Sequence, residues 1–314
     1  MTTTITKTAS MKENCFEPVL YFESAREAFK SLLDKLKEEN ATLLLPAYIG
    51  WSSNEGSGIY DPIIETKTDH VFYLLDENLN MNKEDIKEKM DQIQGKKVLL
   101  IVHYFGYIDP CYRDICHMAL ENDCYIIEDC AHALFTDYVD QKCGIYADAV
   151  FYSLHKMLPL SNGGMLKVKN HKFLVKEGIY QQVSPFSYDF KKIADIRKKN
   201  AQVLEERLSK LGRYITILRP EEKYKGQTPQ TFPIRFKKVD KSEFYFELNA
   251  MDFGVVSLYH TMIEPLREKK YQMFMDIGNS ILNLPVHQDA TPEQMQQLCD
   301  NLEALLSGKI RNLQ

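Results

Sequence analysis

Apolar residues occur along this chain at two different spacings. Ala25, Phe29, Leu32, Leu33 and Leu36 fall on one helical face, and Ser24 with Glu27 three residues on reads as a capping box. Residues 42–45 are instead a short unbroken apolar run, stopped by Pro46. Residues 98–104 form another run without alternation, which predicts a strand buried on both faces. Ile115, Met118 and Ala119 line the next helix, strands are predicted over 125–128 and 149–153, and a further apolar run follows Gly163-Gly164. Strands and helices in alternation predict an α/β fold, a mostly parallel sheet covered by helices.

From Ile193 the pattern changes. Ile193, Ile196, Asn200, Val203, Leu204 and Leu211 lie along one long helix, with Gly212 placed to end it. Strands near 232–236 and 255–259 flank a helix over 243–251. A last helix has Thr291 as cap, Pro292 at its first position and Gln294 at its third, and buries Met295, Leu298, Leu302 and Leu305. This second half reads as a smaller α+β domain. The expected division is a large domain over 1–190, opening on a loose arm at 1–14, and a small domain over 191–314. The 314 residues suffice for both.

Composition narrows the classes. The net charge is −5 with dispersed basic residues, so no nucleic-acid footprint is present. No apolar run approaches the ~20 residues of a membrane span, and the N-terminus has no signal-peptide core. The 7 cysteines are odd in number and form no CxxC pair, which predicts reduced thiols in a cytoplasm and no metal site.

The candidate chemistry lies between 126 and 168. Asp129 ends one apolar run; a second run, 149–152, leads to Ser153 and Lys156. A carboxylate and a lysine at successive strand ends suit pyridoxal phosphate (PLP). The amine condenses with the aldehyde, and the carboxylate keeps the pyridine nitrogen protonated so that the ring draws electrons. The plainer readings are a solvated loop lysine and an aspartate capping a helix. A phosphate needs backbone N–H groups, which the helix start at Ser24-Ala25-Arg26 offers, although Ser24 also serves as a plain cap and Arg26 suits solvent equally. His103 ends a buried strand at the sheet edge where α/β ligands bind, or only caps that strand. Residues 52–62 are polar, with Gly56 and Gly58 as flexible points, and suit a loop over the site.

These residues resemble a known family. Glu128-Asp129-Cys130-Ala131-His132 matches its "EDxAQ/H" segment; Gly144, Asp148, Phe151 and Ser153 match "GxxxDxxxFS"; Lys156 and Gly163-Gly164 match its lysine and glycine pair. Residues 102–106 resemble its "VHxxG" strand end, and residues 282–287 its C-terminal "LSLPxH". The chain is thus similar to the DegT/DnrJ/StrS group of PLP-dependent sugar aminotransferases, of fold type I. The resemblance implies Lys156 and Asp129 as catalytic residues, His132 near the cofactor's phenolic oxygen, and Ser24, Ala25, Arg26 and Ser153 around its phosphate. It implies an aromatic stacked on the pyridine; Trp51 is offset by one residue from the usual place, which leaves Tyr48 or Trp51. It also implies a homodimer, an amino-acid donor such as glutamate, and a keto-sugar nucleotide acceptor that serves polysaccharide or amino-sugar synthesis. His260 and His287 are candidates to reach the sugar from the second domain.

The chain departs from the pattern in places. Residues 179–200 lack the family's "GYNYR"-like segment, Asn162 replaces a glutamate, and Ser153 lies two residues closer to the lysine than in most members. His155 beside Lys156 resembles relatives that dehydrate sugars with a histidine in the lysine's place. A sugar dehydratase and a binding or regulatory protein therefore stand as alternatives.

Overall fold

The computed structural model describes residues 19–175, 184–237 and 239–313; the expected arm at 1–14 lies outside them. Leucine- and isoleucine-rich runs too short for helices become strands, and the amphipathic stretches between them cover the sheet. β1 (Val19–Phe22), β2 (Thr42–Pro46), β3 (His70–Tyr73), β4 (Lys97–Val102), β5 (Cys124–Asp129), β6 (Ala149–Ser153) and β7 (Gly164–Val168) form one sheet in the order β1-β7-β6-β5-β4-β2-β3. Strands β2 to β6 run parallel; β7 is antiparallel to both β6 and β1. The helices of this half are α1 (Ala25–Glu38), α2 (Tyr60–Thr66), α3 (Lys83–Gln92), α4 (Tyr112–Glu121) and α5 (Leu134–Tyr138). α1 starts where the capping box predicts: Ser24 Oγ accepts from the Glu27 amide at 3.2 Å, and Phe29, Leu32, Leu33 and Leu36 are buried.

The second half begins with α6 (Phe190–Leu208) and adds β8 (Ile215–Ile217), α7 (Glu221–Tyr224), β9 (Thr231–Phe236), α8 (Lys241–Ala250), α9 (Gln272–Ser280), β10 (Ile281–Pro285) and α10 (Pro292–Leu313). Its three strands form an antiparallel sheet, β10-β9-β8. A separate apolar cluster of Leu204, Phe232, Phe244, Leu282 and Leu298 fills it. At the start of α10 the Gln294 side chain accepts from the Thr291 amide while Thr291 Oγ1 accepts from the Gln294 amide, the reciprocal pair its sequence predicts.

Three expectations differ from what is observed. α6 ends at Leu208 in a tight turn over Ser209–Leu211, and Gly212 has φ −54°, so no left-handed glycine caps it. The buried face of α6 includes Arg197 beside the expected Asn200 and Leu204, while Ile193 and Ile196 are only half buried. Residues 255–259 form no strand: Val256 makes one bridge, to Asn283, and Tyr259 turns into the left-handed region at φ 59°. The chain turns there to return to the first half, where Gly50 bridges Met262, the Trp51 amide donates to Thr261 O at 2.9 Å, and the Ile263 amide donates to Ile49 O at 3.1 Å.

Arg197 ties the halves together. Its guanidinium donates to Pro229 O, Gln230 O and the Gln288 side chain, reaches Met157 O at 3.5 Å, and lies over the Phe135 ring. Asn200 donates to the carbonyls of Val286, His287 and Ala290.

Beneath the strand ends Glu128 is fully buried. It accepts from Tyr112 Oη at 2.6 Å and from the Gly144 amide at 2.7 Å, and its Oε2 lies 2.7 Å from His103 Nε2. Burial pushes this carboxyl up, but the bonds from His103, Tyr112 and Gly144 outweigh burial and hold it below its ordinary value. Glu128→Leu would leave three polar groups without their acceptor. We expect it to cost about 3–5 kcal/mol of stability, read from the denaturation midpoint, because removing one member of a buried pair strands the other.

Candidate active site

Strand register sets the floor of the site. Val102 pairs with Asp129, and Asp129 with Phe151, so β4, β5 and β6 end side by side. The next links continue that register: the His103 amide donates to Asp129 O and the Cys130 amide to Phe151 O. The edge these ends form faces a cavity of about 620 Å³, a volume typical of small-ligand sites. Asp129, His132, Ser153, Lys156, His103, Ser24, Ala25 and Arg26 all line it.

One corner is built for an anion. α1 points its N-terminus into the cavity, where its first-turn amides lack partners within the helix and its dipole favours negative charge. The glycine pair explains the approach. The Gly163 amide donates to Glu23 O, and a Cβ on Gly164 would lie 2.2 Å from Ser24 O and 2.6 Å from the Ala25 nitrogen. Only glycine lets β7 pass this close beneath the turn. Arg26 adds a cation here; it donates to Glu55 O and lies 3.7 Å from Asp61. Residues 52–59 fold over this corner as a small hairpin, closed by mutual bonds between Ser52 and Gly56 and with Ser57 held by Asp61.

The other corner carries the titratable groups. Lys156 ends the tight turn Leu154–Lys156 after β6, and its Nζ lies 3.2 Å from His132 Nε2. Lys156 is exposed toward the cavity, and the protein around that cavity partly desolvates its amine. That desolvation lowers its pKa, against the opposing pull of Asp129 and Glu55. Burial, then the charge of Lys156, pushes His132 far below its ordinary value, so its ring is neutral and accepts from the ammonium. Burial raises the pKa of Asp129, although the Ala131 amide donates to it at 2.8 Å and Lys156 opposes the shift. A buried carboxyl without an ion-pair partner in direct contact suits a cationic ring nitrogen.

Some expectations are not met. Trp51 does not line the cavity; it is 40% exposed and lies under the Arg267 guanidinium, because the pairing with Thr261 turns it outward. Tyr48 is fully buried, packed against Tyr104 and Tyr259, and does not line the cavity either. His260 is exposed and His287 half exposed, outside the lining. The sequence reading missed Gly50 and Tyr259, named Phe151 only as a motif match, and included Glu55 only within the loop over the site. A positive-φ tyrosine has no local sequence signal, and Glu55 looked like any loop acid. Behind Asp129, His103, Glu128, Cys130 and Cys143 bring ligand-type atoms within 4.8 Å of one another. Both Glu128 oxygens accept hydrogen bonds, and burial raises both thiols.

A seven-stranded sheet in this order, with helices on its faces and a smaller α+β unit after it, is the fold of the fold-type I PLP-dependent transferases. Residues 57–183 match the family described as DegT/DnrJ/EryC1/StrS aminotransferases. An uncharacterised protein of Methanocaldococcus jannaschii is 33% identical over 118 residues, 36% of this chain and 30% of its own length. The shared stretch thus spans less than a third of that relative. A GDP-perosamine synthase of Escherichia coli O157:H7 is 25% identical over 279 residues, 74% of this chain and 71% of that one. Among solved structures, the E. coli GDP-4-keto-6-deoxy-D-mannose-3-dehydratase with bound hydrated PLP superposes with a TM-score of 0.70 at 15% identity, over 90% of this chain and 86% of that one. No helix among the described residues is long and apolar enough to cross a membrane.

The lowered pKa of Lys156 is testable without cofactor. Desolvation disfavours the ammonium, so the free base forms at lower pH than in an exposed lysine such as Lys191, whose pKa is raised by Asp195. Labelling with trinitrobenzenesulfonate across pH, read by peptide mass spectrometry, should show Lys156 reacting at half-maximal rate at a lower pH than Lys191. Equal or later labelling of Lys156 would contradict the assignment.

Proposed function

We propose that this chain is a PLP-dependent aminotransferase that moves an amino group from an amino acid, glutamate, to a keto-sugar nucleotide. One observation carries the reading: the Lys156 amine, the Asp129 carboxyl and the N-terminus of α1 face the same cavity. PLP when bound supplies an electron sink for the α-carbon of the donor. Asp129 would hold the proton on its ring nitrogen. The first turn of α1, with Ser24, Arg26 and Ser153, would bind its phosphate, and His132 its phenolic oxygen. Lys156 Nζ would take the proton from the donor's α-carbon as free base and later return one, which its lowered pKa favours. The hairpin over 52–59 would exclude water and admit donor and sugar in turn.

The match of residues 57–183 to an aminotransferase family and the similarity to a GDP-perosamine synthase support a sugar acceptor. A dehydratase would need a histidine in place of the lysine. Here His155 lines the cavity beside Lys156, 3.5 Å from Ser153 Oγ, and the amine is retained. We further propose a cytoplasmic homodimer, with 1–190 as its cofactor domain and 191–314 as its smaller domain.

Borohydride reduction of PLP-loaded protein should fix a phosphopyridoxyl label on Lys156. A label on another lysine, or none at saturating PLP, would overturn the reading. Asp129→Asn should keep the fold but slow amine transfer at least about a hundredfold; turnover near wild type would reduce Asp129 to a cap. Keto-sugar nucleotides presented with glutamate should yield the amino sugar by mass spectrometry.

A further inference from the structure

We propose that Tyr259 is the aromatic wall of the cofactor cavity, the face on which the planar ring rests, and that Gly50 exists to admit it. The inference rests on the PLP reading. Both residues line the cavity with Asp129, His132 and Lys156. A Cβ on Gly50 would lie 2.7 Å from Tyr259 Cδ1 and 3.3 Å from its Cα, so the tyrosine ring fills the space that a side chain at position 50 would enter. A second glycine admits the same residue from behind: a Cβ on Gly278 would lie 2.3 Å from Tyr259 O. Gly50 thus makes room for the tyrosine ring, and Gly278 for the backbone that carries it.

The tyrosine is held against its own preference. Its φ of 59° lies in the left-handed region, disfavoured for a bulky residue. Such an outlier persists only where surrounding bonds over-determine it. They do so here on both sides. After Tyr259, Thr261, Met262 and Ile263 pair with Ile49, Gly50 and Trp51. Before it, buried Lys241 donates to Ser257 Oγ at 2.6 Å and to the Gly278 and Ile281 carbonyls. The ring is backed by Tyr48 at 5.0 Å and Tyr104 at 5.7 Å between centroids. Burial, then the negative charge of Asp129, keeps its phenol protonated. A neutral, rigidly backed aromatic residue lining a cavity suits a planar heteroaromatic ligand. Neither Trp51 nor Tyr48 lines the cavity.

The test compares PLP dissociation constants and the circular dichroism of the bound cofactor for wild type, Tyr259→Phe, Tyr259→Leu, Tyr259→Ala and the double variant Tyr259→Ala/Gly50→Phe. Tyr259→Phe should bind within about twofold of wild type. Tyr259→Ala should bind roughly tenfold more weakly and change the cofactor's dichroism. The double variant should recover most of that loss, because a side chain at 50 then enters the vacated space. If Tyr259→Ala does not fold, the Leu and Phe variants decide, since both fill the volume and only Phe keeps a flat face. Wild-type affinity in the Ala or Leu variant overturns the inference alone. A wild-type protein that takes up no PLP overturns the cofactor reading, and this inference with it.

Discussion

The register among β4, β5 and β6 is the constraint on which the site depends. Side chains alternate across a strand, so a slip of one residue would turn Asp129 away from the cavity and bring Glu128 toward it. Glu128 reinforces the register that the backbone ladder sets. It points the opposite way, into a buried nest of Tyr112, His103 and the Gly144 amide, and its charge is satisfied only there. Two neighbouring acids on one strand thus have separate environments: one is anchored from below, the other is left for a ligand above.

Much of this was legible in the chain. Strands β2, β4, β5 and β6, the helix starts at Ser24 and Thr291, and the convergence of Lys156, Asp129, His132 and the Ser24 turn follow from apolar runs, caps and motif spacing. Those signals are local, and the residues that carry them sit on regular elements. β1, β3 and β8 have 3 or 4 residues each and no clear pattern, so they went unread. The aromatic wall also failed to show. Its residue is remote in sequence and reaches the cavity through a turn that only the pairing with Ile49–Trp51 explains. Trp51 was assigned by position within a motif, and a single residue of offset faces it outward.

The electrostatics of the cavity share one cause. Desolvation lowers the amine and the imidazole and raises the carboxyl, so each group is drawn toward its neutral form. Because folding lowers the Lys156 pKa, the unfolded chain binds that proton more readily, and this group's contribution to stability improves as pH rises toward ~10.4. At neutral pH the ammonium therefore weakens the fold only slightly, because solvent reaches Lys156 through the open cavity and screens the effect.

Arg197 bears on how the molecule can move. Its guanidinium holds carbonyls on the approach to β9 and reaches the carbonyl of Met157, the residue after Lys156. Swinging the second sheet away from the first would strip a buried cation of its acceptors or drag the lysine turn along with it. Opening at this seam would therefore disturb the turn that carries Lys156. The hairpin over 52–59 is held instead by its own Ser52–Gly56 bonds and by Arg26 and Asp61, apart from that seam.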